Sequence, residues 1–352
     1  MISYKTIRSL LFKLDPERAH GIAEKALRAA EKIPYALEFT AKKHVFADRA
    51  LAQELLALNF ANPVGIAAGF DKNGVMVRGL SALGFGFIEA GTVTPKPQSG
   101  NPKPRLWRHA AQRSLQNGMG FNNGGVEALV KRLAPLAPFA LPLGVNIGKN
   151  RATPIEKALD DYIFCAQKAQ GVADFLTLNI SSPNTPNLRD LQCESFTREL
   201  FAATREITHK PIFLKIAPDL EVSSALEICF AAIESGASGI IAANTTNDYS
   251  LIEGSEAHGG GLSGAVLTEK SRLFFDAIAR ELFGKTMLIS CGGIMDGEEA
   301  WRRITLGASL VQIYTGLIYA GSAIAGAINK AIAQKLEAEG FSSIKEAVGC
   351  AR

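Results

Sequence analysis

The chain has 352 residues, 47% of them hydrophobic, which is enough for a large core, and a formal net charge of only +4. Residues 1–43 hold nine Lys/Arg against five Asp/Glu and so carry the whole excess, leaving the remainder balanced, and no nucleic-acid partner is expected. No run of about 18 apolar residues occurs, and no apolar segment leads into a small-residue cleavage site, so neither a membrane span nor a signal peptide is indicated and a cytoplasmic chain is expected. Taken in order, Tyr4, Ile7, Leu10, Leu11 and Leu14 recur at helical spacing with Lys5, Arg8 and Lys13 among them, predicting a short amphipathic basic helix. Asp15 and Pro16 then supply an N-cap and first-turn proline for a second helix, with His20, Ala23, Ala26, Leu27 and Ala30 on one side. The two helices, ending near Pro34, read either as a hairpin docked on the main domain or as a membrane-surface anchor with an apolar slot. His20 reads either as a group in that slot or as a packed helix residue.

Beyond residue 50 the pattern changes to eight short apolar runs, starting at Val64, Gly86, Leu143, Phe175, Ile212, Gly239, Met287 and Ser309, each followed by enough chain for a crossover. Eight such runs predict a closed (β/α)8 barrel, a TIM barrel, with a small N-terminal two-helix extension. Residues 95–142 and 247–270 are too long for plain crossovers and read as elaborated loops over a site. The five cysteines, Cys165, Cys193, Cys229, Cys291 and Cys350, form no C-x-x-C pair, so reduced structural thiols and no metal centre are expected.

Working residues of such barrels gather at the C-terminal strand ends. There the sequence places Gly69, Phe70, Asp71 and Lys72, then Asn146 and Lys149, Asn179 and Ser182, Lys215, and Asn244, Thr245 and Thr246. Lys215, inside the apolar run IFLKIA, predicts an anionic ligand, because a lysine is rarely buried without one. Lys72 lies beyond its strand and is also compatible with an ordinary surface lysine. Gly292, Gly293, Tyr314, Thr315 and Gly316 follow the seventh and eighth runs, where barrels build phosphate sites from backbone N–H groups. The stretch Asn179-Ile180-Ser181-Ser182-Pro183-Asn184 concentrates amides suited to an imide-bearing ring around a serine stiffened by proline, although a plain Asx or Ser turn also fits it.

In these motifs the chain resembles the class 2, quinone-dependent dihydroorotate dehydrogenases, flavin enzymes of pyrimidine biosynthesis. The resemblance runs through LDPERAH, VGIAAGFDKNG, GFGFIEAGTVTPKPQSGNPKPRL, MGFNN, PLGVNIGKN, NISSPNTPNLRDLQ, LKIAPDL, ANTT, GGLSG and GASLVQIYTG. It implies one FMN in the barrel mouth, held by Ala68, Gly69, Phe70, Asp71, Lys72, Thr92, Asn146, Asn179, Lys215, Ala243, Gly264, Gly293, Tyr314 and Thr315. It places dihydroorotate or orotate against Lys72, Asn117, Gly118, Met119, Gly120, Phe121, Asn179, Asn184, Asn244 and Thr245, with Ser182 as the base. It implies ubiquinone or menaquinone as acceptor and a monomer, peripheral on the cytoplasmic face of a bacterial inner membrane. Residues 1–43 would form the membrane and quinone-tunnel segment and residues 44–352 the FMN-binding barrel. Class 1 relatives read S-C-P-N where this chain reads S-S-P-N, which speaks against a fumarate- or NAD-linked enzyme. Two departures from the family pattern stand out: Gly118 replaces an arginine, and Ala243 replaces a threonine.

Overall fold

Each apolar run forms a strand buried on both faces, which is why it reads as continuous hydrophobicity rather than alternation. The computed structural model describes residues 3–185 and 188–352. Met1, Ile2, Pro186 and Asn187, within the N-terminal segment and the NISSPNTPN motif, lie outside the described residues. The barrel strands are Val64–Ile66, Phe87–Val93, Leu143–Ile147, Phe175–Asn179, Ile212–Ile216, Gly239–Ala242, Met287–Cys291 and Leu310–Ile313, each parallel to the next in sequence. The eighth pairs with the first, Val311 opposite Val64, so the expected barrel is closed.

Inward side chains alternate along each strand and build the barrel in layers. At the bottom Phe87, Phe175 and Phe213 meet edge to face, and Phe60 from the hairpin Gln53–Leu55 and Leu58–Phe60 closes the floor. Small residues on neighbouring strands make room for these rings: a Cβ on Gly65 would lie 2.3 Å from the Phe87 ring, and one on Gly144 2.2 Å from Phe175. Two residues further along, the inward positions carry Glu89, Asn146, Thr177, Lys215 and Gln312, so a polar layer sits directly on the aromatic floor. Above it lies the mouth.

Helix α1 spans Tyr4–Leu11 and α2 Pro16–Ala30, with Asp15 accepting from Arg18 N at 3.1 Å as the expected cap. A third helix, α3, covers Ala36–His44 and was absent from the sequence reading; it begins after Tyr35 at φ 62° and has no side-chain cap, so neither usual signal announces it. It runs across the boundary expected at residue 43. The elaborated loops also differ from expectation. They contribute Leu106–His109, Ser114–Asn117 and Gly261–Gly264 to a three-stranded antiparallel sheet over the mouth.

Candidate active site at the barrel mouth

One cavity of about 710 Å³ runs from the polar strand ends outward between α1 and α2, within the range typical of ligand sites. Its inner end is walled by Asn179, Lys215, Asn244 and Ser182; its outer end by Tyr4, Ile7, Leu11, Ala23, Ala26 and Leu27. All the residues named above for flavin or substrate line this cavity except two. Asn146 lies beneath it in the polar layer, and Gly118 faces a smaller pocket on the far side of the Pro183–Asn184 segment. Lys149 turns away, donating to Asn150 O at 3.0 Å and Thr153 O at 2.5 Å.

Lys215 is 3% exposed, yet among the described residues no carboxylate stands within 4.0 Å of it, and its one hydrogen bond is a long 3.5 Å contact to Gln312 Oε1. A desolvated ammonium so weakly partnered calls for an anion or a polarised carbonyl in the cavity. Lys72 is half-buried and donates to Gly69 O at 2.7 Å; burial pulls its pKa down to about 8, with the Glu17 carboxylate opposing. Asp71 accepts from Val75 N at 2.8 Å and Met76 N at 2.7 Å, so its carboxylate braces the loop that aims Lys72. Burial nonetheless pushes the Asp71 pKa up.

Ser182 is 6% exposed and its Oγ accepts from Asn184 N at 3.3 Å, the local turn anticipated for this loop. Asn184 Nδ2 donates to Asn117 Oδ1 at 2.9 Å, tying the loop to the antiparallel sheet. Asn184 Oδ1 and Asn122 Oδ1 are buried acceptors without a partner, as is the hydroxyl of Thr185. Buried orphan acceptors are rare, and two of them line the ligand cavity. Near the seventh and eighth strand ends, Gly293 has φ 72° and a Cβ there would meet Thr268 N at 2.6 Å; Gly264 has φ 98° and its Cβ would meet Arg113 O at 2.6 Å. Only glycine fits either position, and both leave backbone open to the cavity.

The outer end differs in chemistry. His20 packs edge to face on Phe70 at 5.1 Å, and burial, then the Lys72 charge, lowers its pKa to about 4. Glu17 pairs with Arg105 at 2.6 Å and Lys103 at 2.8 Å, and Tyr4 Oη donates to Ile318 O at 2.7 Å, which docks the segment on the barrel. Sequence reasoning passed over Glu89 and Gln312, both 0% exposed. The signal existed for Glu89: a lone carboxylate inside the apolar run FIEAGTV is the counterpart of the lysine inside IFLKIA.

An eight-stranded parallel barrel with a polar, partly cationic mouth, and a slot leading from it, defines a (β/α)8 protein with a ligand-sized cavity at its strand ends. The family model for dihydroorotate dehydrogenase matches residues 50–336. The dihydroorotate dehydrogenase (quinone) of Nitratiruptor sp. is 52% identical over 348 residues, 99% of each chain, and that of Sulfurimonas denitrificans 50% over 352 residues, the whole of both. The structure of DHODH from Eimeria tenella in complex with ferulenol superposes with a TM-score of 0.86 at 35% identity, covering 96% of this chain and 95% of that one. The chain belongs to the dihydroorotate dehydrogenase family, whose enzymes are flavin-dependent oxidoreductases.

Proposed function

We propose that this chain binds FMN at the inner end of the cavity, oxidises (S)-dihydroorotate to orotate in de novo UMP biosynthesis, and passes the electrons to ubiquinone or menaquinone arriving through the slot. The observation that carries this reading is the continuity of one cavity from the weakly partnered Lys215 ammonium to the apolar wall of α1 and α2. When bound, FMN supplies the acceptor for the hydride leaving C6 of the substrate. Every other task falls to the chain's own groups.

Ser182 Oγ takes the C5 proton. A hydroxyl is a weak base at neutral pH, so the proton passes onward, and the unpartnered Thr185 hydroxyl nearby in the loop is suited to receive it. Lys72 pairs with the substrate carboxylate, while the amides of Asn117, Asn179, Asn184 and Asn244 match a ring bearing both N–H and C=O groups. Lys215 stabilises negative charge developing on the reduced cofactor. The backbone around Gly264, Gly293, Tyr314 and Thr315 receives the phosphate.

The N-terminal segment supports a peripheral position on the cytoplasmic face of a bacterial inner membrane. Leu10, Tyr35 and Phe39 are 60%, 78% and 71% exposed beside Lys5, Lys13, Lys42 and Lys43, an apolar and basic surface suited to an anionic lipid interface. No helix among the described residues is long and apolar enough to cross a membrane. We assign residues 1–43 to the quinone slot and membrane contact, residues 44–352 to the flavin barrel, and the working unit to a monomer. The test is anaerobic mixing of the purified protein with dihydroorotate. The flavin absorbance bleaches and a quinone restores it, whereas restoration by fumarate alone overturns the assignment of the acceptor.

A further inference from the structure

The polar layer contains a carboxylate for which the reading above has no task. Glu89 is 0% exposed on the second barrel strand, and no Lys or Arg stands within 4.0 Å of it among the described residues. Its two oxygens instead accept from two side-chain amides, Asn146 Nδ2 at 2.6 Å and Gln312 Nε2 at a short distance. An ionised carboxylate only accepts, so both amides must turn their NH2 groups toward it and their carbonyl oxygens away.

That constraint propagates. Asn146 Oδ1, facing away from Glu89, accepts from Thr92 Oγ1 at 2.5 Å and from Asn179 Nδ2 at 3.1 Å. Asn179 therefore turns its Oδ1 the other way, where it accepts from Ser181 N at 3.2 Å and Ser181 Oγ at 3.1 Å. Ser181 Oγ, having donated, accepts from Asn244 Nδ2 at 2.9 Å. In the opposite direction Gln312 Oε1 is left facing Lys215 Nζ. One buried charge thus fixes the donor direction of four successive groups, Asn146, Asn179, Ser181 and Asn244, of which Asn179 and Asn244 face the ligand cavity, and through Gln312 it bridges to the cavity's buried cation.

The geometry points to Glu89 as a positioning residue: its negative charge sets the amide polarity of Asn179 and Asn244 toward the substrate and balances Lys215 beneath the cofactor through Gln312. This rests on the flavin and dihydroorotate reading above and adds the group that orients its ligands. A glutamine in its place keeps the shape but carries one acceptor and one donor, so it cannot receive both amides and one of the two must reverse. The uncompensated Lys215 then favours the reduced, anionic flavin more strongly.

The experiment compares Glu89→Gln and Glu89→Asp in flavin-loaded protein, reading the orotate Kd by titration of the flavin spectrum and the flavin midpoint potential. E89Q is expected to weaken orotate at least about tenfold and to move the potential to a more positive value. E89D, which keeps the charge, should hold the parent's potential and lose less orotate affinity. A parent-like Kd and potential in E89Q overturn the proposal, because a space-filling role would leave both unmoved. A potential in E89D displaced as far as in E89Q also overturns it, since size rather than charge would then be at work. Should E89Q fail to hold flavin, E89D decides alone: a parent-like potential supports the proposal and a displaced one sinks it. The parent's own flavin content and its bleaching by dihydroorotate test the underlying reading separately.

Discussion

The two ends of the cavity are built on opposite principles. At the inner end polar groups are buried and joined in a network running from Gln312 through Glu89, Asn146, Asn179 and Ser181 to Asn244, standing on a floor of interlocked phenylalanines. At the outer end α1 and α2 present small and aliphatic side chains to the same space, and a few polar contacts such as Glu17 to Arg105 attach them to the barrel. A satisfied buried network holds its groups to fixed directions, which proton and hydride chemistry requires. An apolar slot with small side chains selects by shape and hydrophobicity and tolerates a range of tails. Reactions at one end should therefore be separable from those at the other.

The largest expected effect strikes the inner end alone. Ser182→Ala should retain flavin and orotate binding while slowing flavin reduction by dihydroorotate about 10²–10⁴-fold, since on the proposed mechanism only the proton acceptor is lost. Stopped-flow absorbance reads this directly, and a rate within about tenfold of the parent removes Ser182 from the mechanism. The converse variant is Ala26→Trp, which fills the slot between the helices. Quinone reoxidation should then fall by more than about tenfold with reduction by substrate unchanged, because overpacking acts locally. If both half-reactions slow together, the two ends are coupled and the comparison fails.

The difference between the ends also governs what the sequence disclosed. All eight barrel strands were readable because parallel strands buried on both faces leave uninterrupted apolar runs, and Lys215 stood out against one of them. Glu89 offered the same contrast, but it lies two residues before Gly91, in a run read for its glycine and threonine end. The antiparallel sheet was not readable: Leu106–His109 is partly exposed, and Gly261–Gly264 joins Ser114–Asn117 from far along the chain, a pairing no local pattern encodes. Helix α3 lacked a capping residue, and its exposed Phe39 and Tyr35 give it no buried stripe to read.

A smaller effect comes from Lys72, where the ends approach one another. Burial places its folded pKa at about 8, below the ordinary lysine value, so in the ligand-free protein the neutral form takes over only above about pH 8. On the proposed pairing of Lys72 with the substrate carboxylate, binding needs the cation, and the apparent Kd for dihydroorotate should rise toward tenfold per pH unit above about 8. The sign for stability is opposite. A depressed lysine pKa means that the unfolded chain binds more protons between about 8 and 10.5, so folding of the ligand-free protein gains from Lys72 as pH rises through that window. Isothermal titration with orotate and denaturant melts across pH 7–10 should thus trend in opposite directions. Parallel trends would show that Lys72 is not the group responsible.

The smallest expected effect belongs to His20, the one imidazole lining the slot among the described residues. Its pKa of about 4, set first by burial and then by Lys72, keeps the ring neutral across the physiological range. The neutral ring contributes stability that is full above the unfolded value of 6.5 and is lost as pH falls from there through about 4, because the unfolded state takes up the proton first. Between pH 6.5 and 8 the quinone half-reaction should consequently show no ionisation from this side chain. His20→Phe, which keeps the aromatic contact to Phe70 at 5.1 Å and deletes the titrating nitrogens, should change quinone KM by less than about threefold and flatten the loss of stability below pH 6. Steady-state assays with a long-chain quinone at pH 7, paired with urea melts at pH 5 and pH 7, make both comparisons. A tenfold loss of quinone turnover at pH 7 would instead mean that an imidazole hydrogen bond to the acceptor is part of the outer end's chemistry, and the slot would no longer be a purely apolar guide.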